Sequence, residues 1–225
     1  MRRKLFCEIS PFTYKISKYR CRFIKHIQNI FSGNTFANEL SKNKLPIIIY
    51  KQKSLIRRKL GNVDLQLQEN KAINLMLTAP KVSGILIKPG ETFSFWKLVG
   101  NCTKKRGYKE GLTISNGSPA QGIGGGMCQF TNLIHWLILH TPLDITEHHH
   151  HDAIDLFPDY GRQIPFGMGT SILYNYLDYQ FKNNTNQTYQ LIAYTNNLFL
   201  CGEIRAEQKL DCKYHIKAEE EKFVK

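Results

Sequence analysis

A glycine-rich loop that leads into an apolar, helix-patterned stretch constrains this chain more than any other feature. Residues 122–130 read Gly-Ile-Gly-Gly-Gly-Met-Cys-Gln-Phe, and the apolar positions that follow keep helical spacing until Pro142. The pattern predicts a tight loop and then a helix that begins at Cys128. It also places the Cys128 thiol beside the unpaired N–H groups of a helix N-terminus, where the thiolate is favoured over the thiol.

The remaining patterns predict an α+β fold, with N-terminal helices and then a mainly antiparallel sheet packed with that central helix. Helical spacing covers residues 10–33 and 62–77, and Pro80 is expected just beyond the second helix. Asn116-Gly117 is a hairpin signal. Strands are expected at residues 46–50, 85–87, 93–96, 145–151, 171–182, 189–195, 198–206 and 212–217. We expect a basic N-terminal helical region at 1–60 and a second domain at 61–225.

Length and charge restrict the class of partner. A chain of 225 residues with a formal net charge of +13 can bury one sizeable core and is attracted to anionic partners. No nucleic-acid partner is expected, because the basic run at residues 57–59 is typical of a solvated face. The basic amphipathic helix at 10–33 has two interpretations. It lies on an anionic membrane surface, or it docks on the body of the protein with a solvated basic face.

Cysteine spacing and the N-terminus predict the location. Six cysteines lie far apart without a CxxC pair, which fits reduced thiols in a cytoplasmic protein. The basic start is followed by charged residues that interrupt any signal-peptide apolar region, and no window of about 18 uncharged apolar residues occurs. We therefore expect no cleaved signal peptide, no transmembrane helix, and a cytoplasmic protein, with peripheral binding to the inner membrane face as the alternative. Nothing in the sequence sets an oligomeric state.

A histidine run supplies chemistry that can accompany the cysteine. Residues 147–152 read Glu-His-His-His-His-Asp. On a strand, His149 and His151 share one face and the other two histidines share the opposite face, so one pair can face the cysteine. A thiolate and an imidazole that is itself oriented by a carboxylate form the arrangement of acyl-transfer enzymes. This interpretation makes Cys128 the nucleophile, His149 or His151 the base, and Asp159 the orienting group.

Neighbouring residues predict how a substrate is held. The backbone of Gly124, Gly125 and Gly126, together with the Gln129 side chain, is suited to an oxyanion. Arg162, in a turn-rich segment, can bind a carboxylate or phosphate in a bidentate manner. The structural alternatives are a tight turn at the glycines and an ordinary ion pair or turn cap at the arginine.

A metal site is the alternative for the same histidine segment. His149 and His151, with Asp155 as a carboxylate ligand, form a donor set for a divalent ion such as zinc. The catalytic interpretation needs no cofactor. A third interpretation is a partly exposed histidine run without chemistry.

Several separate motifs identify a family. They are Pro-Gly-Glu-Thr-Phe-Ser-Phe at 89–95, Gly-Gly-Gly-Met-Cys-Gln at 124–129, the histidine segment, Gly-Arg at 161–162, and Tyr-Leu-Asp-Tyr-Gln-Phe-Lys-Asn at 176–183. In this order they resemble the VanW family over about residues 70–193. Many family members carry Arg-His-x-His-Ser and Gly-Arg-Asp-Ala at the corresponding places. Here His148, Asp152 and Gln163 replace the Arg, the Ser and the Asp of those motifs.

The resemblance implies a function. The family is associated with VanB-type vancomycin resistance clusters, which implies an accessory protein that acts on or binds a peptidoglycan precursor, or its peptide, ending in D-Ala-D-Ala or D-Ala-D-lactate. Two mechanisms are open: a Cys-dependent hydrolase or transferase, and a non-catalytic module that holds an anionic cell-wall precursor at the membrane. A depressed thiol pKa at Cys128 distinguishes them, because binding needs no activated sulfur.

Overall fold

The computed structural model describes residues 5–57, 64–115, 118–150 and 168–217, in which helices and mostly antiparallel strands confirm the predicted α+β class. The helices are α1 (Pro11–Phe31), α2 (Leu65–Val82), α3 (Phe95–Val99) and α4 (Met127–Ile138). The strands are β1 (Thr35–Phe36), β2 (Ile47–Leu55), β3 (Ile85–Ile87), β4 (Glu91–Ser94), β5 (Glu110–Ser115), β6 (Ser118–Ile123), β7 (Asp144–Glu147), β8 (Gln180–Lys182), β9 (Tyr189–Thr195) and β10 (Phe199–Ala206). None of the helices in these ranges combines the length and the hydropathy that crossing a membrane requires.

The first helix is set by its own sequence. The Ser10 hydroxyl accepts a hydrogen bond of 3.2 Å from the Thr13 N–H, and the Ser10 N–H donates to the Thr13 hydroxyl at 2.9 Å. Pro11 occupies the first helical position, where its missing N–H costs nothing. Beyond the end of α1, Gly33 adopts a left-handed φ of 66°. The helix predicted at 10–33 is therefore confirmed.

The orientation of α1 differs from the docked interpretation. Its polar side faces the body of the protein, where Lys25 pairs with Glu147 and Arg22 donates to the carbonyl of Tyr174. No residue of α1 is buried, and its apolar side chains are exposed. Helix α1 therefore docks on the body, as one of the two interpretations has it. The side that docks differs from the expectation, because the carboxylate and the carbonyl that α1 meets attract Lys25 and Arg22 inward and leave the apolar side exposed.

Two four-stranded sheets organise the described residues. One has the order β2-β10-β9-β3 with antiparallel pairs throughout, and the other has the order β1-β4-β8-β7, in which β1 and β4 run parallel. Strands β5 and β6 pair from Ser115↔Ser118 outward, which confirms the hairpin predicted from Asn116-Gly117, although those two residues lie outside the described ranges. Strands β1 and β2 precede residue 60 yet pair with strands that follow it, and the domain boundary stays a prediction.

Helix α4 lies at the centre of the core and contacts β2 and β10. Its side chains Phe130, Ile134 and Leu137 are at most 1% exposed. Burial of each such side chain stabilises the fold by about 1.5–3 kcal/mol. Leu137 approaches β10 so closely that a Cβ at Gly202 would lie 2.8 Å from its Cδ1. The predicted central helix is therefore present, and it begins within one residue of Cys128.

The sequence predicted Pro80 just beyond the end of α2. In the structure Pro80 lies inside this helix, so the prediction was wrong. The helix continues to Val82, and the Ser83 N–H donates to the Ala79 carbonyl at 2.8 Å. A proline in the last turn removes one hydrogen bond, to the carbonyl of residue 76. Met76 and Pro80 are both exposed, whereas Ala79 and Val82 are buried. Burial of Ala79 and Val82 on the inner side of the last turn outweighs the hydrogen bond that Pro80 removes on the exposed side.

Several predicted strands are shorter than expected or absent. β4 ends at Ser94, whose side chain accepts from the Lys97 N–H and caps α3. β7 ends at Glu147, so His148, His149 and His150 are not on a strand. Residues 171–179 form turns and an isolated bridge, and 212–217 have no regular structure. Aromatic residues there favour strands by propensity, but they pack equally well from loops.

Candidate functional site

The glycine-rich loop is packed against other parts of the protein at the N-terminus of α4. Gly126 caps the helix with a left-handed φ of 104°. A Cβ at Gly125 would lie 2.4 Å from the carbonyl carbon of Gly111 in β5. The Gly125 carbonyl accepts a hydrogen bond of 2.9 Å from Nδ2 of Asn74 in α2. Packing alone requires small residues here, and the oxyanion role of Gly124, Gly125 and Gly126 stays a prediction.

Cys128 lies half-buried in the first turn of α4, and all six cysteines are free thiols. Burial raises the pKa of the Cys128 thiol, and hydrogen bonds with backbone groups of Ile172 and of Cys128 itself offset only part of the rise. The direction is opposite to that expected at a helix N-terminus, because desolvation of the thiolate outweighs the backbone hydrogen bonds that stabilise it. No imidazole of the described residues contributes to this shift. The role of Cys128 as a nucleophile stays a prediction.

The Gln129 side chain is bonded to β2. Its Nε2 donates to the Ser54 hydroxyl at 2.9 Å and to the Leu55 carbonyl at 2.8 Å. These two bonds fix the start of α4 to the strand. Gln129 therefore has a structural function in this arrangement, and its contact with an oxyanion stays a prediction.

Residues 169–172 contact both α4 and the histidine segment. The Thr170 N–H and hydroxyl donate to Oδ1 of Asn132 at 2.6 and 2.7 Å. One residue later, the Ser171 N–H donates to the His149 carbonyl at 2.6 Å. The structure thus brings the histidine segment and the cysteine end of α4 to the same four residues, and none of the described imidazoles affects the thiol.

Glu147, the last residue of β7, accepts hydrogen bonds from three separate segments. Lys25 of α1 pairs with Oε2, the Asp178 N–H donates to Oε1 at 2.9 Å, and Nε2 of His149 lies 3.0 Å from Oε1. Burial alone would raise the pKa of Glu147, but the bonds from Lys25, Asp178 and His149 hold that pKa below its ordinary value. The ionised Glu147 therefore connects α1 to the histidine segment and to the residues before β8.

We expect Glu147→Gln to lower the free energy of unfolding by about 1–2 kcal/mol, because the amide keeps an acceptor for the Asp178 N–H but loses the charge that faces Lys25. Hydrogen exchange of the α1 amides should become faster in this variant. The matched control is Glu39→Gln, which removes an exposed ion pair with Lys88 and should cost no more than about 0.5 kcal/mol. Equal losses for both variants in urea unfolding would contradict the role assigned to Glu147.

His148 packs inward against α4. Its ring stacks on His135 with the centroids 4.2 Å apart, and the His150 ring meets it edge-on, also at 4.2 Å. Nδ1 of His135 lies 3.0 Å from the Tyr179 hydroxyl. Burial, with a smaller contribution from the neighbouring imidazoles, lowers the pKa of His135 to about 3 and that of His148 to about 4. Both imidazoles are therefore neutral at pH 7.

The three described histidines, His148 to His150, alternate in direction even though they are not on a strand. His148 and His150 share one side, and His149 contacts Glu147. In the described ranges, no group of three or more His, Cys, Asp and Glu side chains is arranged to hold a metal ion. The other predicted ligands and site residues, which are His151, Asp155, Asp159 and Arg162, lie outside those ranges and stay predictions.

Asp178 is a buried carboxylate that the sequence patterns did not single out. Its Oδ1 accepts from the Trp96 N–H at 3.1 Å and the Tyr179 N–H at 2.9 Å, and its Oδ2 accepts from the Ser94 hydroxyl and from Nε2 of Gln180. Burial raises the pKa of Asp178, although the bonds from Ser94 and Trp96 oppose that rise. The available signal was a single acidic residue inside an aromatic-rich stretch, Tyr-Leu-Asp-Tyr-Gln-Phe. Such a residue needs several donors when it is buried.

His135 was also missed, and its signal lies in the pattern of α4. It is the one polar residue in the stretch Leu-Ile-His-Trp-Leu-Ile at 133–138. A histidine on an apolar helix is buried with a partner, which here is Tyr179. The His135 ring stacks on His148 and so packs the histidine segment against α4.

Comparisons with known proteins agree with this arrangement of motifs. The sequence profile of the family described as "VanW like protein" matches residues 70–205, which run from α2 into β10. The vancomycin B-type resistance protein VanW of Enterococcus faecalis (strain ATCC 700802 / V583) is 33% identical over 216 residues, which cover 96% of this chain and 78% of that protein. The uncharacterized protein YoaR of Bacillus subtilis (strain 168) is 28% identical over 122 residues, which cover 53% of this chain and 37% of that protein. No solved structure matches the chain significantly. The chain belongs to the VanW family.

Proposed function

We propose that this chain is an accessory protein of vancomycin resistance that binds a peptidoglycan precursor and does not use Cys128 as a nucleophile. The observation that carries the proposal is the 33% identity to a vancomycin B-type resistance protein over 96% of the chain. The formal net charge of +13 supports an anionic ligand, such as the phosphates and carboxylates of a cell-wall precursor.

The geometry around Cys128 supports binding over catalysis. An activated cysteine needs a lowered pKa and a base within hydrogen-bond reach. Burial raises the pKa of the Cys128 thiol, and its hydrogen-bonding partners are backbone groups. His149, one of the two predicted bases, is hydrogen-bonded to Glu147, as an oriented base would be, but it does not contribute to the pKa of Cys128. A Cys-dependent hydrolase or transferase is the competing proposal, because Cys128 does lie at the start of α4.

Deletion of the gene from a strain that carries a B-type resistance cluster should lower the minimal inhibitory concentration of vancomycin at least fourfold. Complementation with the wild type or with Cys128→Ala should restore it, because binding needs no activated sulfur. Cys201→Ala, at a half-buried cysteine of β10, is the matched control for loss of a thiol. An unchanged inhibitory concentration after deletion would sink the resistance role. Loss of resistance with a folded Cys128→Ala protein would favour the enzyme.

The purified protein separates the two mechanisms directly. Alkylation of Cys128, followed by peptide mass against pH, should have its midpoint above the ordinary thiol value of about 8.5 and should not change in His149→Ala. The exposed Cys212 serves as the internal reference. A midpoint well below that of Cys212 that disappears in His149→Ala would establish a Cys–His pair. Precursor binding is measured by calorimetry with muramyl pentapeptides ending in D-Ala-D-Ala or D-Ala-D-lactate, and no heat with either would refute the binding role.

A further inference from the structure

Helix α1 is held on the body of the protein by its polar side. Besides the Lys25–Glu147 pair, Nε of Arg22 donates to the Tyr174 carbonyl at 3.0 Å, and the guanidinium lies 5.3 Å from the centroid of the Tyr174 ring. In the opposite direction, Nδ2 of Asn175 donates to the Arg22 carbonyl at 3.1 Å. The helix therefore has a fixed orientation on the surface, with its other side turned outward.

The outward side is a continuous apolar surface. At 100° per residue, seven large side chains fall within an arc of about 120°. This apolar face consists of Phe12, Ile16, Tyr19, Phe23, Ile27, Ile30 and Phe31, with exposures of 71%, 42%, 69%, 67%, 37%, 59% and 81%. Each of its four aromatic side chains has an area of about 200 Å² and exposes most of it, so together with the three isoleucines the face is larger than the roughly 300–600 Å² patch that a typical monomer leaves exposed. An exposed face of this size indicates a binding surface.

Cations flank the apolar face. Lys15 lies just outside one end of the arc and Arg20 just inside the other end, and both are exposed. The sequence places Arg2, Arg3 and Lys4 shortly before the helix. Two copies of this face packed together would bring these cations, and two bodies of net charge +13, against each other. A bilayer with anionic headgroups instead offers hydrocarbon to the apolar face and negative charge to its edges.

We propose that the apolar face of α1 docks on a membrane surface with anionic headgroups. The helix then lies in the interface plane, between the bilayer and the body to which its polar side is bonded. The inference is independent of the proposed precursor binding, because α1 precedes residues 70–205, which the family profile matches.

Flotation of the purified full chain with vesicles tests the proposal. Wild-type protein should bind vesicles of 70% phosphatidylcholine and 30% phosphatidylglycerol, and binding should weaken at least tenfold with pure phosphatidylcholine or in 0.5 M salt. The double variant Phe12→Ser/Phe23→Ser should bind at least 30-fold more weakly, because each buried phenylalanine contributes tenfold or more to partitioning, on the order of 1.5–3 kcal/mol. No residue of α1 is buried, so the variant should unfold at the wild-type temperature.

A matched double variant controls for loss of exposed apolar area elsewhere. Tyr194→Ser/Leu198→Ser removes two exposed side chains, one in β9 and one in the turn that precedes β10, and should bind like the wild type. Failure of the wild type to bind anionic vesicles would overturn the proposal, as would equal binding by both double variants. A concentration-dependent dimer that Phe12→Ser/Phe23→Ser abolishes, without vesicle binding, would assign the face to a second copy and overturn it too.

Two tryptophan reporters test the orientation of the helix. Phe23→Trp, on the apolar face, should show a blue-shifted emission when anionic vesicles are added. Gln28→Trp, exposed on another side of the same helix, should show no shift. Equal shifts at both positions would contradict docking through the apolar face.

Discussion

Gly125→Ala should lower the free energy of unfolding by more than about 3 kcal/mol, because its new methyl group has no room. The added Cβ would lie 2.4 Å from the carbonyl carbon of Gly111, 2.6 Å from the Gly111 Cα and 2.7 Å from the Leu112 carbonyl oxygen. All three atoms are backbone atoms, so relief requires β5 to move away from the loop. Urea unfolding followed by circular dichroism measures the loss.

Alanine substitutions at two other glycines distinguish the effect of a steric clash from the effect of backbone strain. Gly90→Ala has open space around its Cβ but a left-handed φ of 81°, and should cost about 1 kcal/mol. Gly169→Ala has open space and no such φ, and should change stability by less than about 0.5 kcal/mol. If Gly125→Ala cost no more than Gly169→Ala, the close packing of the glycine-rich loop on β5 would be disproved.

Acid should destabilise the protein through two buried histidines. The pKa of His135 falls to about 3 and that of His148 to about 4 in the folded state, against about 6.5 in the unfolded chain. The unfolded state therefore binds more protons below pH 6.5. Stability is fully present above that pH and is lost as the pH falls towards 4 and then 3. Between pH 7.5 and pH 5 the loss should be about 2 kcal/mol for each histidine.

Urea unfolding at pH steps from 7.5 to 5 gives the slope that tests this prediction. His135→Asn should reduce the slope by about one proton, whatever its effect on stability at neutral pH. A wild-type slope of zero in this range would show that neither imidazole is held in its neutral form.

Sequence patterns correctly located the helix ends and turns that neighbouring residues determine. Ser10-Pro11 and the helical spacing gave the bounds of α1, and Asn116-Gly117 located the turn between β5 and β6. The extent of α2 beyond Pro80 was missed because burial of its last turn depends on distant residues. The strands expected at 145–151 and 171–182 were overextended, and the one expected at 212–217 is absent. In the last two segments aromatic residues suggested strands, but such residues pack well in loops and strands alike.

The sequence predicted the individual residues of the candidate site but not the contacts between them. The glycines and Cys128 were found because their spacing at a helix start is a local pattern. The partners of Glu147 and the stacking of His148 on His135 join residues far apart in the sequence, and periodicity carries no information about such contacts. The same limit applies to α1: its periodicity identified the apolar face, but contacts with Glu147 and Tyr174 decide that this face points outward.

The place of β10 in its sheet has a consequence for synthesis of the chain. β10 lies between β2 and β9 and is the partner through which β2 joins the sheet. On the ribosome, the nine residues of β2 therefore leave the exit tunnel long before β10, the strand with which they pair. This sheet can be completed only after Ala206 has also left the tunnel, and during that interval β2 is exposed to aggregation with other nascent chains.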